Sequence, residues 1–179
     1  SDHSTLNKVD SMMGIVSELS DSDRLRSIIR GGEDICTEFK QTLSLDIAKK
    51  TREKYITFSA LKTIAAFFNT KGGDLLIGVD DYMNVTGIEH EVEKFHKGDT
   101  DKFLNNFKDL FKQYIGPEFY LFLDQRIVDI NDKKVLLISC EPSDKEVFMD
   151  GVDFYVRTTP ATDKLEGQSQ VDYIRTRFG

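Results

Sequence analysis

Ile56-Thr57-Phe58-Ser59-Ala60-Leu61-Lys62-Thr63-Ile64-Ala65-Ala66-Phe67-Phe68-Asn69-Thr70-Lys71-Gly72-Gly73-Asp74-Leu75-Leu76-Ile77-Gly78-Val79-Asp80-Asp81 changes its apolar period in mid-course. In the first half Ile56, Ala60, Leu61, Ile64, Ala65 and Phe68 recur at helical spacing and make one apolar face. Asn69 to Gly73 stops that helix with two glycines. Leu75 to Val79 then runs almost continuously apolar, the pattern of a central strand buried on both faces. Asp80 to Asn84 turns the chain, and Val85 to Ile88 is expected to return as a hairpin partner. A helix, a buried strand and a hairpin in direct succession predict an α+β domain with a mixed β-sheet and helices packed against it.

Upstream, Ile35-Cys36-Thr37-Glu38-Phe39-Lys40 alternates like a strand. Ile35, Thr37 and Phe39 face one way; Cys36, Glu38 and Lys40 face the other. A short helix is expected at Asp23–Ile29, capped by Ser22 or Asp23 and stopped by Gly31-Gly32. Residues 1–22 are set apart as an N-terminal helix or linker, because Leu6, Val9, Met13 and Val16 form a narrow stripe of about two heptads. That stripe either packs on its own domain, or dimerises it, or links it to a module missing from the N-terminal side. Residues 41–54 read as an exposed, charged connection. Downstream, Phe103, Phe107, Leu110, Phe111 and Tyr114 mark a second amphipathic helix, closed by Gly116-Pro117. Strands are expected at Phe119–Ile130, Val135–Cys140 and Asp153–Thr159. A last helix, near 167–178, should turn Val171, Ile174 and Phe178 inward. The domain proper is thus 23–179.

Composition narrows the function. With 39% hydrophobic residues, 13 Phe and 6 Tyr, a chain of 179 residues can build a core without disulfide or zinc staples. Cys36 and Cys140 match no metal spacing and read as small buried side chains of a reduced, cytoplasmic protein. No apolar run approaches the ~18 residues of a membrane span. The net charge of −7, from 24 Lys+Arg against 31 Asp+Glu, excludes a globally basic nucleic-acid binder but leaves room for a local basic patch. Such a patch exists at Lys49, Lys50, Arg52 and Lys54, where with Lys40 it can track phosphates. No aromatic platform is evident beside it.

Three carboxylates flank the same region. Glu33 precedes the first strand, Glu38 lies in it, and Asp81 follows the central strand. If the two strands are neighbours, the three can converge, and such oxygen clusters suit hard divalent cations. A cation there can polarise a phosphodiester and activate water, with Lys40 neutralising charge on the phosphate. Asn69-Thr70-Lys71-Gly72-Gly73 is no phosphate loop, since it closes a helix rather than opening one. His3, His90 and His96 are scattered, with no nucleophile arranged around them.

The blocks Gly32-Glu33-x4-Glu38-Phe39-Lys40, Ile64 to Thr70 followed by Gly72-Gly73, and Leu76-Ile77-Gly78-Val79-Asp80-Asp81 resemble the Schlafen Alba-like domain family. Phe154-Tyr155-Val156-Arg157-Thr158 and Leu165-x-Gly167 resemble the C-terminal end of its bacterial members. The likeness covers about residues 23–178 and implies a single Alba-like lobe that binds nucleic acid, DNA above all, as the regulatory or effector end of a longer protein. In the animal branch, three acidic residues cleave structured RNA. By resemblance they fall on Glu33, Glu38 and Asp81, with Mg²⁺ or Mn²⁺ as the implied metal and Lys40 in support. Arg157 joins the expected phosphate contacts, and one lobe is expected to pair with a second copy to embrace a duplex. Three readings follow: a nucleic-acid-binding domain, a metal-dependent nuclease, and an oligomerisation or partner-binding module.

Overall fold

The computed structural model describes residues 2–179, apart from the side chains of residues 2, 3 and 16–19. Val16 and His3, named above, therefore lie outside the described side chains. The chain runs α1 (Asp2–Gly31), β1 (Thr37–Lys40), β2 (Leu45–Asp46), β3 (Thr51–Arg52), α2 (Lys54–Asn69) and β4 (Gly73–Ile77). It continues through α3 (Glu89–His96), α4 (Thr100–Tyr114), a 3-10 turn (Pro117–Phe122), β5 (Leu123–Ile130) and β6 (Lys133–Cys140). β7 (Phe148–Met149), β8 (Asp153–Arg157), β9 (Thr162–Leu165) and α5 (Gly167–Phe178) complete it.

The main sheet has the order β1-β4-β6-β5, with β1 parallel to β4 and the other pairs antiparallel. It is mixed, and the fold is α+β. The apolar run of β4 is buried on both faces, as its sequence demands. Leu75 and Ile77 point to a core filled by α2 and by Phe103, Phe107 and Phe111 of α4. Leu76 and Val79 point to the opposite face, where Leu25 and Ile29 of α1 cover Phe39, Val128, Val135 and Leu137. Two smaller units flank the sheet: the antiparallel hairpin β2-β3, and the three-stranded sheet β7-β8-β9 packed against α2. Gly72, between α2 and β4, has φ +75°, and a Cβ there would lie 2.4 Å from the carbonyl oxygen of Cys140. Only glycine permits the sheet to start so close to the helix end.

Several expected elements differ. α1 is one helix of 30 residues, not a tail plus a short helix at 23–29. No proline or glycine interrupts residues 15–30, so Ser22 continues the helix instead of capping it. Val85–Ile88 forms no hairpin strand; only an isolated bridge joins Val79 to Val85, and β6 takes the place beside β4. Gly116-Pro117 leads into the 3-10 turn, which delays β5 to Leu123. Residues 41–54 are more than an exposed connection, because Leu43, Ser44 and Leu45 are buried at the base of the β2-β3 hairpin. Of the three residues of α5 expected to turn inward, Val171 is exposed, and Ile174 and Phe178 are half-buried. Tyr173 docks that helix, donating its hydroxyl to the carbonyl oxygen of Asn69 at 2.6 Å. Cys140 is buried as expected, whereas Cys36 is only half-buried; both are free thiols.

Candidate nucleic-acid interface

β1 and β4 are neighbours, with Glu38 level with Leu75 and Lys40 with Ile77. Their parallel pairing brings the C-terminal end of β1 beside the loop after β4. Lys40 therefore shares the wall of one cleft with Asp81, and its Nζ donates to Ser59 Oγ of α2 at 3.0 Å. The same ammonium lies 3.5 Å from Glu38 Oε1.

Glu38 is the most enclosed of the three carboxylates. Its Oε2 accepts from Arg157 Nη1 at 3.0 Å. Burial pushes its pKa up; Lys40 opposes that rise, Glu33 adds to it, and Arg157 opposes it again. Glu33 is exposed, and its Oε1 accepts the Phe39 amide at 2.8 Å. Asp81 is exposed and lines the same cleft as Lys40. Among the described residues, no group of three or more His, Cys, Asp or Glu side chains is placed to hold a metal ion. In this arrangement the donor set does not suit a divalent cation, since Glu38 is already held by a guanidinium and an ammonium.

Arg157, expected at a phosphate, is inside the protein. Its side chain is 1% exposed. It donates to Glu38, to Thr162 Oγ1, and to the carbonyl oxygens of Asp34, Ile35 and Thr37, and it stands over the Phe67 ring at 5.1 Å. With its donors committed, it clasps β8 to the start of β1 rather than facing solvent.

The other basic residues behave in the opposite way. Lys49 and Lys50 occupy the turn of the β2-β3 hairpin, Arg52 lies on β3, and Lys54 opens α2; all four are exposed. Among the described residues none of the four enters a salt bridge, whereas Lys40 at the edge of the same cleft lies 3.5 Å from Glu38. The hairpin that carries them is firmly based. Glu91 of α3, 2% exposed, accepts the amides of Leu43, Ser44 and Leu45 at 2.7–3.0 Å and the Ser44 hydroxyl at 2.9 Å. Asp46 closes the turn by accepting the Lys49 amide at 2.9 Å, and that contact chiefly lowers its pKa.

Aromatic rings do accompany these cations. The Arg52 guanidinium stands over Phe95 at 4.4 Å from the centroid, and Lys49 Nζ stands 5.9 Å from that of Tyr55. Tyr55 is 56% exposed and donates its hydroxyl to Asp46 Oδ2 at 2.6 Å. Tyr55 was legible in the sequence, since it directly follows Lys54. Phe95 and Glu91 were not, because about 40 residues and two other elements separate them from the hairpin. Lys62, about two turns along α2 from Lys54, lines a neighbouring cavity with Lys54 and Tyr55, but its place among the apolar residues of α2 hides it in the sequence.

Among the described residues no helix is long and apolar enough to cross a membrane. No curated protein matches the chain. The DIP2311 protein from Corynebacterium diphtheriae has a similar fold, with a TM-score of 0.57 at 16% sequence identity over 88% of this chain. This chain spans 32% of that protein's crystallised chain. The model of the family described as Schlafen, AlbA_2 matches residues 33–166, a span that runs from Glu33 through the hairpin, α2 and β4 to the clasp at Arg157. The chain belongs to the Schlafen, AlbA_2 family.

Proposed function

We propose that this domain binds nucleic acid through the β2-β3 hairpin and the adjoining start of α2, with Lys40, Lys49, Lys50, Arg52 and Lys54 as phosphate contacts. One observation carries the reading: four exposed cations that enter no salt bridge among the described residues sit together on a hairpin and the first residue of the helix after it, and the base of that hairpin is anchored by a buried carboxylate. Each phosphate they neutralise releases condensed counterions, so affinity falls steeply as salt rises. Membership of the Schlafen, AlbA_2 family supports a nucleic-acid-related role. The net charge of −7 means that binding has to rest on local basic surface rather than on the charge of the whole chain.

Charge reversal at Lys49, Lys50 and Arg52 is expected to abolish binding of DNA and RNA oligonucleotides at low salt. Affinity equal to that of the parent would refute the interface. Cleavage by Glu33, Glu38 and Asp81 requires Glu38 to leave Arg157 and Lys40 before a cation can enter. Metal-dependent shortening of the oligonucleotides, lost in Asp81→Asn, would replace the binding reading with that one.

A further inference from the structure

A cleft of about 410 Å³ opens between the end of β1, the hairpin and the first turns of α2. Ile47 and Tyr55, 45% and 56% exposed, supply apolar surface at its walls. Gln41, Thr42 and Asp81 supply hydrogen-bonding groups, and Lys40 contributes its charge. Two exposed apolar side chains beside this cation cluster are not explained by packing, because both lie outside the core clusters.

We infer that this cleft receives one unpaired nucleobase of a single-stranded segment, stacked on Tyr55. The inference rests on the proposed phosphate contacts and adds the class of nucleic acid they serve. A base needs a flat ring, and Tyr55 provides one held at its far end by the hydroxyl bond to Asp46. Lys49 Nζ stands over one face of that ring, so the base stacks on the other face with the ammonium close by for its phosphate. Gln41 and Asp81 can donate to and accept from the edge of the base. A fully paired duplex cannot use the cleft, since its base faces are stacked against one another and only its phosphates are presented outward. The cleft therefore distinguishes single strands, loops and bulges from uninterrupted duplex, in DNA and RNA alike.

The test measures fluorescence anisotropy at low salt with three labelled probes: a 12-nucleotide single strand, the same phosphodiester chain with every base replaced by an abasic spacer, and a blunt duplex of that length. The parent is expected to prefer the single strand to the abasic chain. Tyr55→Ala should weaken single-strand binding roughly 5- to 150-fold, the range for losing one aromatic–base stack. It should leave the abasic and duplex affinities unchanged, while Tyr55→Phe, which keeps the ring but loses its tether to Asp46, should fall between Tyr55→Ala and the parent on the single strand alone. Equal weakening on every probe would mean that Tyr55 only supports the hairpin, and would overturn the inference. So would a parent that binds all three alike. In both cases the phosphate interface stands so long as the Lys49, Lys50 and Arg52 reversal still abolishes binding. No binding of any probe by the parent overturns both.

Discussion

Arg157 fastens β8 to the start of β1 through Glu38 and the backbone around Asp34 and Thr37. An arginine in Phe-Tyr-Val-Arg-Thr looks free to reach a phosphate, yet its guanidinium is spent on Glu38 and on three backbone carbonyl groups. Removing one partner of a buried ion pair leaves the other charge uncompensated, so Arg157→Ala is expected to cost about 3–5 kcal/mol in urea unfolding at pH 7. Arg157→Lys should not restore the loss, because an ammonium cannot span those acceptors. The pH dependence has a definite sign. Glu38 has a raised pKa in the folded protein, so the folded state holds its proton more tightly than the unfolded chain does. Arg157→Ala raises that pKa further, so the deficit should shrink as pH falls through the carboxylate range. A deficit that is constant or grows in acid would mean that Glu38 is not the residue left exposed to the loss.

Among the elements, the basic hairpin depends on α3, which its own sequence does not reveal. β2 and β3 are two residues each, too short to hold themselves in water. Glu91 supplies the missing support by taking three amides and a hydroxyl. Glu91→Ala orphans those donors at about 1–3 kcal/mol each. It should raise hydrogen exchange at the Leu43–Leu45 amides, and unchanged protection there would show that the hairpin stands without it. The last residue of α3, His96, is 9% exposed, and its pKa is lowered first by burial and then by the charge of Arg52. The unfolded chain therefore gains a proton near pH 6.5 that the folded protein resists, and stability should fall as pH drops below that value. The slope is bounded by one proton, about 1.4 kcal/mol per pH unit. His96→Asn should flatten it.

Legibility followed locality. α2, β4 and α4 could be read directly because each carries a periodic apolar pattern of its own. The expected partner strand at Val85–Ile88 failed because the place beside β4 went to β6, about 60 residues on, with a longer apolar run. The same logic held at the site. The lysines and the carboxylates could be named from spacing, but whether Glu38 meets Asp81 or Arg157 depends on a residue 119 positions away.

Taken whole, the molecule is a packed domain with a rod attached. α1 has 30 residues, about 45 Å at 1.5 Å per residue. Ser22, Leu25 and Ile29 dock it on the sheet, while Leu6, Val9, Met12, Met13 and Ile15 remain 50–68% exposed. We expect this end to pair with a second copy, placing two hairpins on one assembly. Light scattering should then give a dimer for the full chain and a monomer after deletion of residues 2–19, with the unfolding midpoint of the domain unchanged. A monomeric full chain would rule the pairing out.

The clasp between Glu38 and Arg157 also bears on the order in which the protein is made. The carboxylate is synthesised 119 residues before its guanidinium. At roughly 5–20 residues per second, translation leaves Glu38 without that partner for about 6–24 s. In the later part of this interval α2 and β4 have been made, but Arg157 is not yet there to clasp the leading end of β1. A nascent chain halted before β8 would keep its first strand incompletely fastened, and the ribosome would hold a domain that closes only when β8 emerges.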